Sequence, residues 1–113
     1  MITGTACLDV RFRVLAERLL SAAQRYGPYE FTSTCRDRAE QAALWATRDT
    51  NAFPVLPPGF SMHERGLAVD MSRPDVDPYR DLFLHMIGSD WRAAAPGKLV
   101  WDASDPIHFE YRP

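Results

Sequence analysis

The segment Ser61–Asp70, SMHERGLAVD, constrains this chain more than any other stretch. It sets His63 and Asp70 seven positions apart, with a turn at Glu64-Arg65-Gly66 and an apolar run from Leu67 to Met71 between and around them. In an extended run, alternate residues face opposite sides. Leu67, Val69 and Met71 then share one face, and Ala68 and Asp70 share the other. If the larger side chains enter the core, Asp70 points away from it, with only the small Ala68 alongside. The fold must therefore offer a strand with core on one side and room for a carboxylate on the other.

A second segment, DPIHFEY near the C-terminus, has the same design. His108 and Glu110 share one face, opposite Ile107, Phe109 and Tyr111, and Asp105 lies three residues before His108. Two imidazoles and a carboxylate can hold a metal ion and leave a position open for water. Glu110, on the face of His108, is placed to orient that imidazole. The remaining histidine, His85, is expected in a surface or capping role.

The intervening chain supplies helices and short strands. Asp9 is a candidate N-cap for a helix whose apolar stripe is Phe12, Leu15, Leu19, Ala22 and Tyr26, ended by Gly27-Pro28. Tyr29 to Arg36 is predicted as a strand, with Tyr29, Phe31 and Ser33 on one face. Asp37 with Glu40 forms a capping box for a second helix reaching about Asp49. Asn51 to Phe60, with three prolines and a glycine, can only be a loop. Asp77 and Pro78 are predicted to start a third helix with Tyr79, Leu82, Phe83, Met86 and Ile87 as its apolar face. Gly88 is expected to close it, before a separate helical turn at Trp91–Ala95. Leu99–Trp101 and Ile107–Tyr111 are predicted strands joined by a tight turn. The pattern describes one α+β domain over residues 1–113, a small antiparallel sheet with helices packed on it.

Composition narrows the partners. At 113 residues, 46% apolar and 25% charged, the chain has ordinary globular values. A formal net charge of -2 gives no basic face for nucleic acid. No run approaches a membrane span, and the start, MITGTACLDVRFR, lacks the apolar core of a signal peptide, so cytoplasmic synthesis without membrane insertion is expected. Cys7 and Cys35 fit neither a metal pair nor a disulfide framework by spacing, and two reduced thiols are the favoured reading. A disulfide would require the N-terminal segment to lie beside the strand that holds Cys35.

The composite pattern S-x-H-x-x-G-x-A-x-D is far more specific than a His–Asp spacing alone. Together, SMHERGLAVD and DPIHFEY resemble the zinc peptidases of the VanX/VanY D-alanyl-D-alanine peptidase group, which includes the phage L-alanyl-D-glutamate endopeptidases. The likeness continues through TSTCRDRAEQAAL, covering roughly residues 29–112. It implies the hedgehog/DD-peptidase fold and one Zn2+ held by His63, Asp70 and His108. It also implies Asp105 as the catalytic carboxylate, Arg36 facing the substrate, and Ser61 and Gln41 in support. The chain departs from the group's D,D-peptidases in carrying Asp105 where they usually have Glu, and the Asp form resembles the phage endopeptidases. It also reads Ser33-Thr34-Cys35-Arg36 where Ser-Gly-Tyr-Arg is common. The implied activity is hydrolysis of peptidoglycan stem peptides at the L-Ala–D-Glu bond, by a monomer acting on the cell wall after release or from a virion. D-alanyl-D-alanine carboxypeptidase activity, or a non-catalytic zinc-stabilised binding module, are the alternatives.

Overall fold

The computed structural model describes all residues from Met1 to Pro113. Four strands, β1 (Glu30–Ser33), β2 (Ala68–Ser72), β3 (Leu99–Asp102) and β4 (Asp105–Tyr111), form one antiparallel sheet in the order β1-β2-β4-β3. Three helices accompany it, α1 (Val10–Ala23), α2 (Arg38–Ala46) and α3 (Leu82–Ala94), with short 3-10 turns at Arg48–Thr50, Met62–Arg65 and Pro78–Arg80. The architecture is the α+β arrangement expected. Its core joins Phe12 and Leu19 of α1, Leu84 and Trp91 of α3, and Val69, Met71 and Phe109 from the strands. No helix is long and apolar enough to cross a membrane.

The first strand departs from simple alternation. Phe31 pairs with Met71, but Ser33 pairs with Asp70, so Thr32 is an extra residue in a β-bulge. Residues directly opposite in an antiparallel pair share a face, and the bulge inverts parity along the strand. Phe31 therefore enters the core while Ser33, predicted on the same face as Phe31, is turned to the side of Asp70.

Two helices sit differently from the expectation. In α1 the buried positions are Phe12, Ala16, Leu19 and Ala23, whereas Ala22 and Tyr26 are exposed. The helix buries two alanines beside Phe12 and Leu19, and it ends at the Gln24 cap rather than at Gly27. Tyr26 lies outside it, stacked on Phe83 with ring centroids 5.1 Å apart. In α3 the N-cap is Asp81, not Asp77. Asp77 caps only the preceding 3-10 turn, and Asp81 accepts from the Leu84 backbone N–H at 3.2 Å. Asp81 is buried, where it also accepts from the Tyr29 hydroxyl at 2.7 Å and from Arg73. This four-residue delay rotates the buried face to Leu84, Ile87, Gly88 and Trp91, and leaves Leu82 83% exposed.

Gly88 does not close α3. It lies mid-helix because the Trp101 indole occupies the space of a side chain, and a Cβ there would fall 2.0 Å from the ring. The helix then runs without a break through Trp91. His85 takes the modest role expected, with Nε2 at 3.1 Å from the Pro78 carbonyl and its ring edge-on to Trp101.

Cys7 and Cys35 are joined in a disulfide, contrary to the expectation of free thiols. The N-terminal segment does lie beside the end of β1, held there by hydrogen bonds from the Thr34 backbone N–H and hydroxyl to the carbonyls of Ile2 and Gly4. Spacing within the sequence carries no trace of that proximity.

Gly88→Ala is expected to force Trp101 from its seat and to destabilise the fold by about 1–3 kcal/mol, the usual range for overpacking. Chemical denaturation of the two proteins measures the difference.

Candidate metal centre

The pairing of β2 with β4 builds most of the site. Asp70 lies directly opposite His108, and Ala68 opposite Glu110, so all four project on the face away from the core. His63 arrives from the 3-10 turn Met62–Arg65 just before β2. Ser61 caps that turn, its Oγ accepting from the His63 backbone N–H at 3.2 Å. Gly66 redirects the chain into β2 with φ +68, a left-handed conformation that glycine adopts without penalty. The same position is crowded: a Cβ would stand 2.9 Å from the Asp9 nitrogen.

His63 Nε2 lies 3.1 Å from Asp70 Oδ1, and His108 Nδ1 lies 3.4 Å from the same oxygen. These three atoms fall within 4.8 Å of one another. The outer nitrogens are both engaged. His63 Nδ1 is 2.7 Å from the Thr34 carbonyl, and His108 Nε2 is 2.9 Å from Glu110 Oε1. Since a carbonyl only accepts, Nδ1 of His63 carries the hydrogen. In the neutral imidazole, Nε2 then presents a lone pair to a carboxylate that also only accepts. A cation between them resolves that opposition, and the donor set of two imidazoles and a carboxylate suits a divalent ion. The residues fit a metal.

Asp70 is buried, which by itself would raise its pKa, but its interactions with His108 and His63 outweigh this and hold it far below the ordinary carboxylate range in the metal-free chain. Burial pushes His108 down, yet the hydrogen bonds with Asp70 and Glu110 prevail and lift it to about 9 in the metal-free chain. Burial likewise opposes ionisation of Glu110, but its bonds to His108 and Arg112 keep it below its usual value.

Arg36 is tied to the site more closely than sequence alone indicates. Its Nη2 donates to Asp70 Oδ2 at 2.9 Å, its Nε to Ser33 Oγ at 3.2 Å, and its Nη1 to Gln41 Oε1 at 3.2 Å. Gln41 is itself buried and donates to the Leu56 carbonyl at 2.7 Å, fixing the proline-rich loop to α2. A guanidinium has five N–H donors, so two of them remain for another acceptor.

Asp105 opens β4 and lines the same cleft, which has a volume of about 440 Å³. Its Oδ1 is the one buried side-chain polar atom without a hydrogen-bond partner. Burial raises its carboxyl to about 6, against the pull of His108, His63 and Arg36. Every residue singled out from sequence, namely Arg36, Gln41, Ser61, His63, Asp70, Asp105, His108 and Glu110, lines this cleft. Sequence reading missed Thr34 and Ser33, whose parts depend on the bulge and on a backbone carbonyl. It also missed Arg112, which donates to Glu110 Oε2 at 2.6 Å and was detectable only as a charge two residues along the strand.

Comparison with protein-family models and with curated proteins finds no match. Among solved structures, the chain is similar to the vancomycin-resistance D,D-dipeptidase VanXYg in complex with a D-Ala-D-Ala phosphinate analogue. The TM-score is 0.66 and the identity 18%, over 92% of this chain and 50% of that one. It is also similar to a mutant of the D,D-pentapeptidase VanY from a VanB-type resistance cassette, in complex with Zn(II). There the TM-score is 0.57 and the identity 20%, over 92% of this chain and 72% of the other. The fold is thus the one shared by these VanX/VanY-type peptidases. The chain spans half the length of VanXYg.

A raised histidine pKa stabilises the fold fully below its unfolded value of 6.5, and the gain disappears as pH climbs through the folded value. For His108 that window is from 6.5 to about 9. The metal-free chain is expected to lose on the order of 1–3 kcal/mol of stability across it. Denaturant titrations at several pH values measure the slope, and His108→Gln should flatten it.

Proposed function

We propose that this chain is a zinc-dependent peptidase acting on peptidoglycan stem peptides. One observation carries the reading: three metal-ligating atoms converge on a point in a cleft whose wall also holds an unpartnered, buried carboxylate. That the VanY structure contains Zn(II), and the VanXYg structure a D-Ala-D-Ala analogue, supports both the metal and the substrate class.

His63, Asp70 and His108 would hold the ion. When bound, zinc supplies Lewis-acid polarisation of a carbonyl and lowers the pKa of a water molecule. The protein's own groups do the rest. Thr34 and Glu110 fix which nitrogen of each imidazole faces inward. Arg36 holds Asp70 by Oδ2, leaving Oδ1 towards the histidines. Its two unspent N–H groups can bind a substrate carbonyl or carboxylate. Asp105 has the freedom to take a proton from the attacking water and deliver it to the leaving amine. Its pKa of about 6 belongs to the metal-free chain, and a nearby cation pulls it lower, favouring the ionised base.

An aspartate in this place favours cleavage between L-Ala and D-Glu, by the likeness to the phage endopeptidases, and with it release onto the cell wall or carriage on a virion. The similarity to D,D-peptidases favours instead removal of a terminal D-Ala. The products distinguish these bonds. Incubated with the zinc-loaded protein, defined muropeptides should yield peptides with a new D-Glu N-terminus by mass spectrometry; free D-alanine would indicate the second bond. Chelation should abolish either product. Asp105→Asn is expected to lower kcat by about 10²–10⁴-fold with zinc content unchanged. Intact muropeptides in the presence of stoichiometrically bound zinc would overturn the peptidase reading and leave a zinc-stabilised binding module.

A further inference from the structure

We propose that residues 1–8 form a redox-locked strap that positions the segment Thr34–Arg36 and, through it, His63 and Asp70 for metal binding. The inference rests on the metal-site reading above and adds to it a control element that reaches the cleft only through Met1.

Thr34 is the pivot. It is fully buried, and each of its polar groups is committed. Its carbonyl receives His63 Nδ1 at 2.7 Å. Its backbone N–H donates to the Ile2 carbonyl at 2.8 Å, and its hydroxyl lies 2.6 Å from the Gly4 carbonyl and 3.2 Å from that of Ile2. The next residue, Cys35, is bonded to Cys7 of the strap. The one after it, Arg36, donates its backbone N–H to the His63 carbonyl at 3.2 Å and its side chain to Asp70. Of these three consecutive residues, Thr34 and Arg36 thus bear on two of the three candidate ligands, and Thr34 and Cys35 are fastened to the strap.

The strap meets the metal motif a second time. The Asp9 backbone N–H donates to the Gly66 carbonyl at 3.0 Å, and the Cys7 carbonyl and Leu8 Cα pack where a side chain at Gly66 would stand. It therefore bridges the two chain segments that frame His63.

Apart from the disulfide and the bonds to Thr34, the strap is tied to α1 by one exposed hydrogen bond, from the Thr5 hydroxyl to Glu17 Oε1 at 2.9 Å. Only Leu8 contributes to the core, while Met1 and Ile2 are 79% and 43% exposed. Ordering eight residues costs more than these few net hydrogen bonds return. Cys7 is exposed and Cys35 buried, so attack from solvent falls on the Cys7 sulfur. A dithiol reductant supplies two electrons and two protons: the S–S bond breaks, two thiols form, and the reductant closes its own disulfide. The strap is then expected to detach, and Thr34 to lose the partners that fix its carbonyl. Reducing surroundings would leave the site slack, and oxidising ones would close it.

The test is zinc affinity, measured by competition with a chromophoric chelator, on the oxidised wild-type chain and on C7A/C35A, which contains no thiols to bind the ion. The double variant should bind zinc about 10–100-fold more weakly, as for loss of a group that orients a ligand. Thr34→Val, which keeps the disulfide, should weaken binding likewise, and Thr34→Ser should restore it. A second readout needs no metal: the His63 Nδ1–H proton resonance should be protected from exchange in the wild type and not in C7A/C35A. Equal zinc affinity in wild type and double variant, with equal protection, overturns the proposal. If the wild type binds no zinc, the metal reading fails, and the Nδ1–H protection alone decides the strap: lost protection supports it and unchanged protection refutes it. Should the double variant not fold, Thr34→Val against Thr34→Ser decides on the same two measurements.

Discussion

The Asp70 carboxylate is the interaction on which the rest of the molecule is arranged. It is buried on a central strand, where an isolated negative charge would be very unfavourable. One oxygen faces both imidazoles and the other takes a guanidinium N–H, so the charge is shared among three partners from three different parts of the chain. Each partner is held from behind in turn: His63 by the Thr34 carbonyl, His108 by Glu110, and Arg36 by Ser33 and Gln41. A buried polar network of this kind is favourable only when its members are satisfied. Asp105 is the exception, and an unsatisfied polar atom on the wall of a cleft is where a reacting group is expected.

Sheet topology explains why so small a domain can assemble this. With the order β1-β2-β4-β3, the two ligand-bearing strands are neighbours at the centre, flanked by the strand that leads into Arg36 and the strand paired with Asp105. Period-two alternation then sends apolar residues to α1 and α3 and polar ones to the cleft, without any loop having to fold precisely in open solvent. The proline-rich loop is tied down at Leu56 by Gln41, which gives the cleft a wall without secondary structure of its own.

Much of the site was legible because its signals are local. Alternation in Leu67–Met71 and Ile107–Tyr111 assigned Asp70, His108 and Glu110 to one side, and the capping box at Asp37 placed the start of α2, which ends at Ala46, short of the predicted Asp49. Features set by distant contacts were not legible. The Thr32 bulge inverts Ser33 because its partner strand demands it. Asp81 outcompetes Asp77 as the α3 cap because Tyr29 and Arg73 converge on it in the interior. Large apolar residues mark a stripe on α1 and α3 that is buried at Phe12, Leu19 and Ile87, but close packing added Ala16, Ala23 and Gly88, which size alone does not mark. The disulfide belongs to the same class, since sequence separation says nothing about which segments become neighbours.

Trp101 draws one such packing choice into the chemistry. Its ring occupies the notch left by Gly88, and its indole N–H donates to the Pro106 carbonyl at 2.8 Å, one residue after Asp105. The pyrrole side of the indole is therefore shared, lying against α3 at Gly88 and bonded through the same Nε1 to β4 beside the free carboxylate. The start of β4 that carries Asp105 is thus held, in part, by a methyl group missing from the helix packed next to it. Variation in α3 can thus shift the position of Asp105 without altering any residue that lines the cleft.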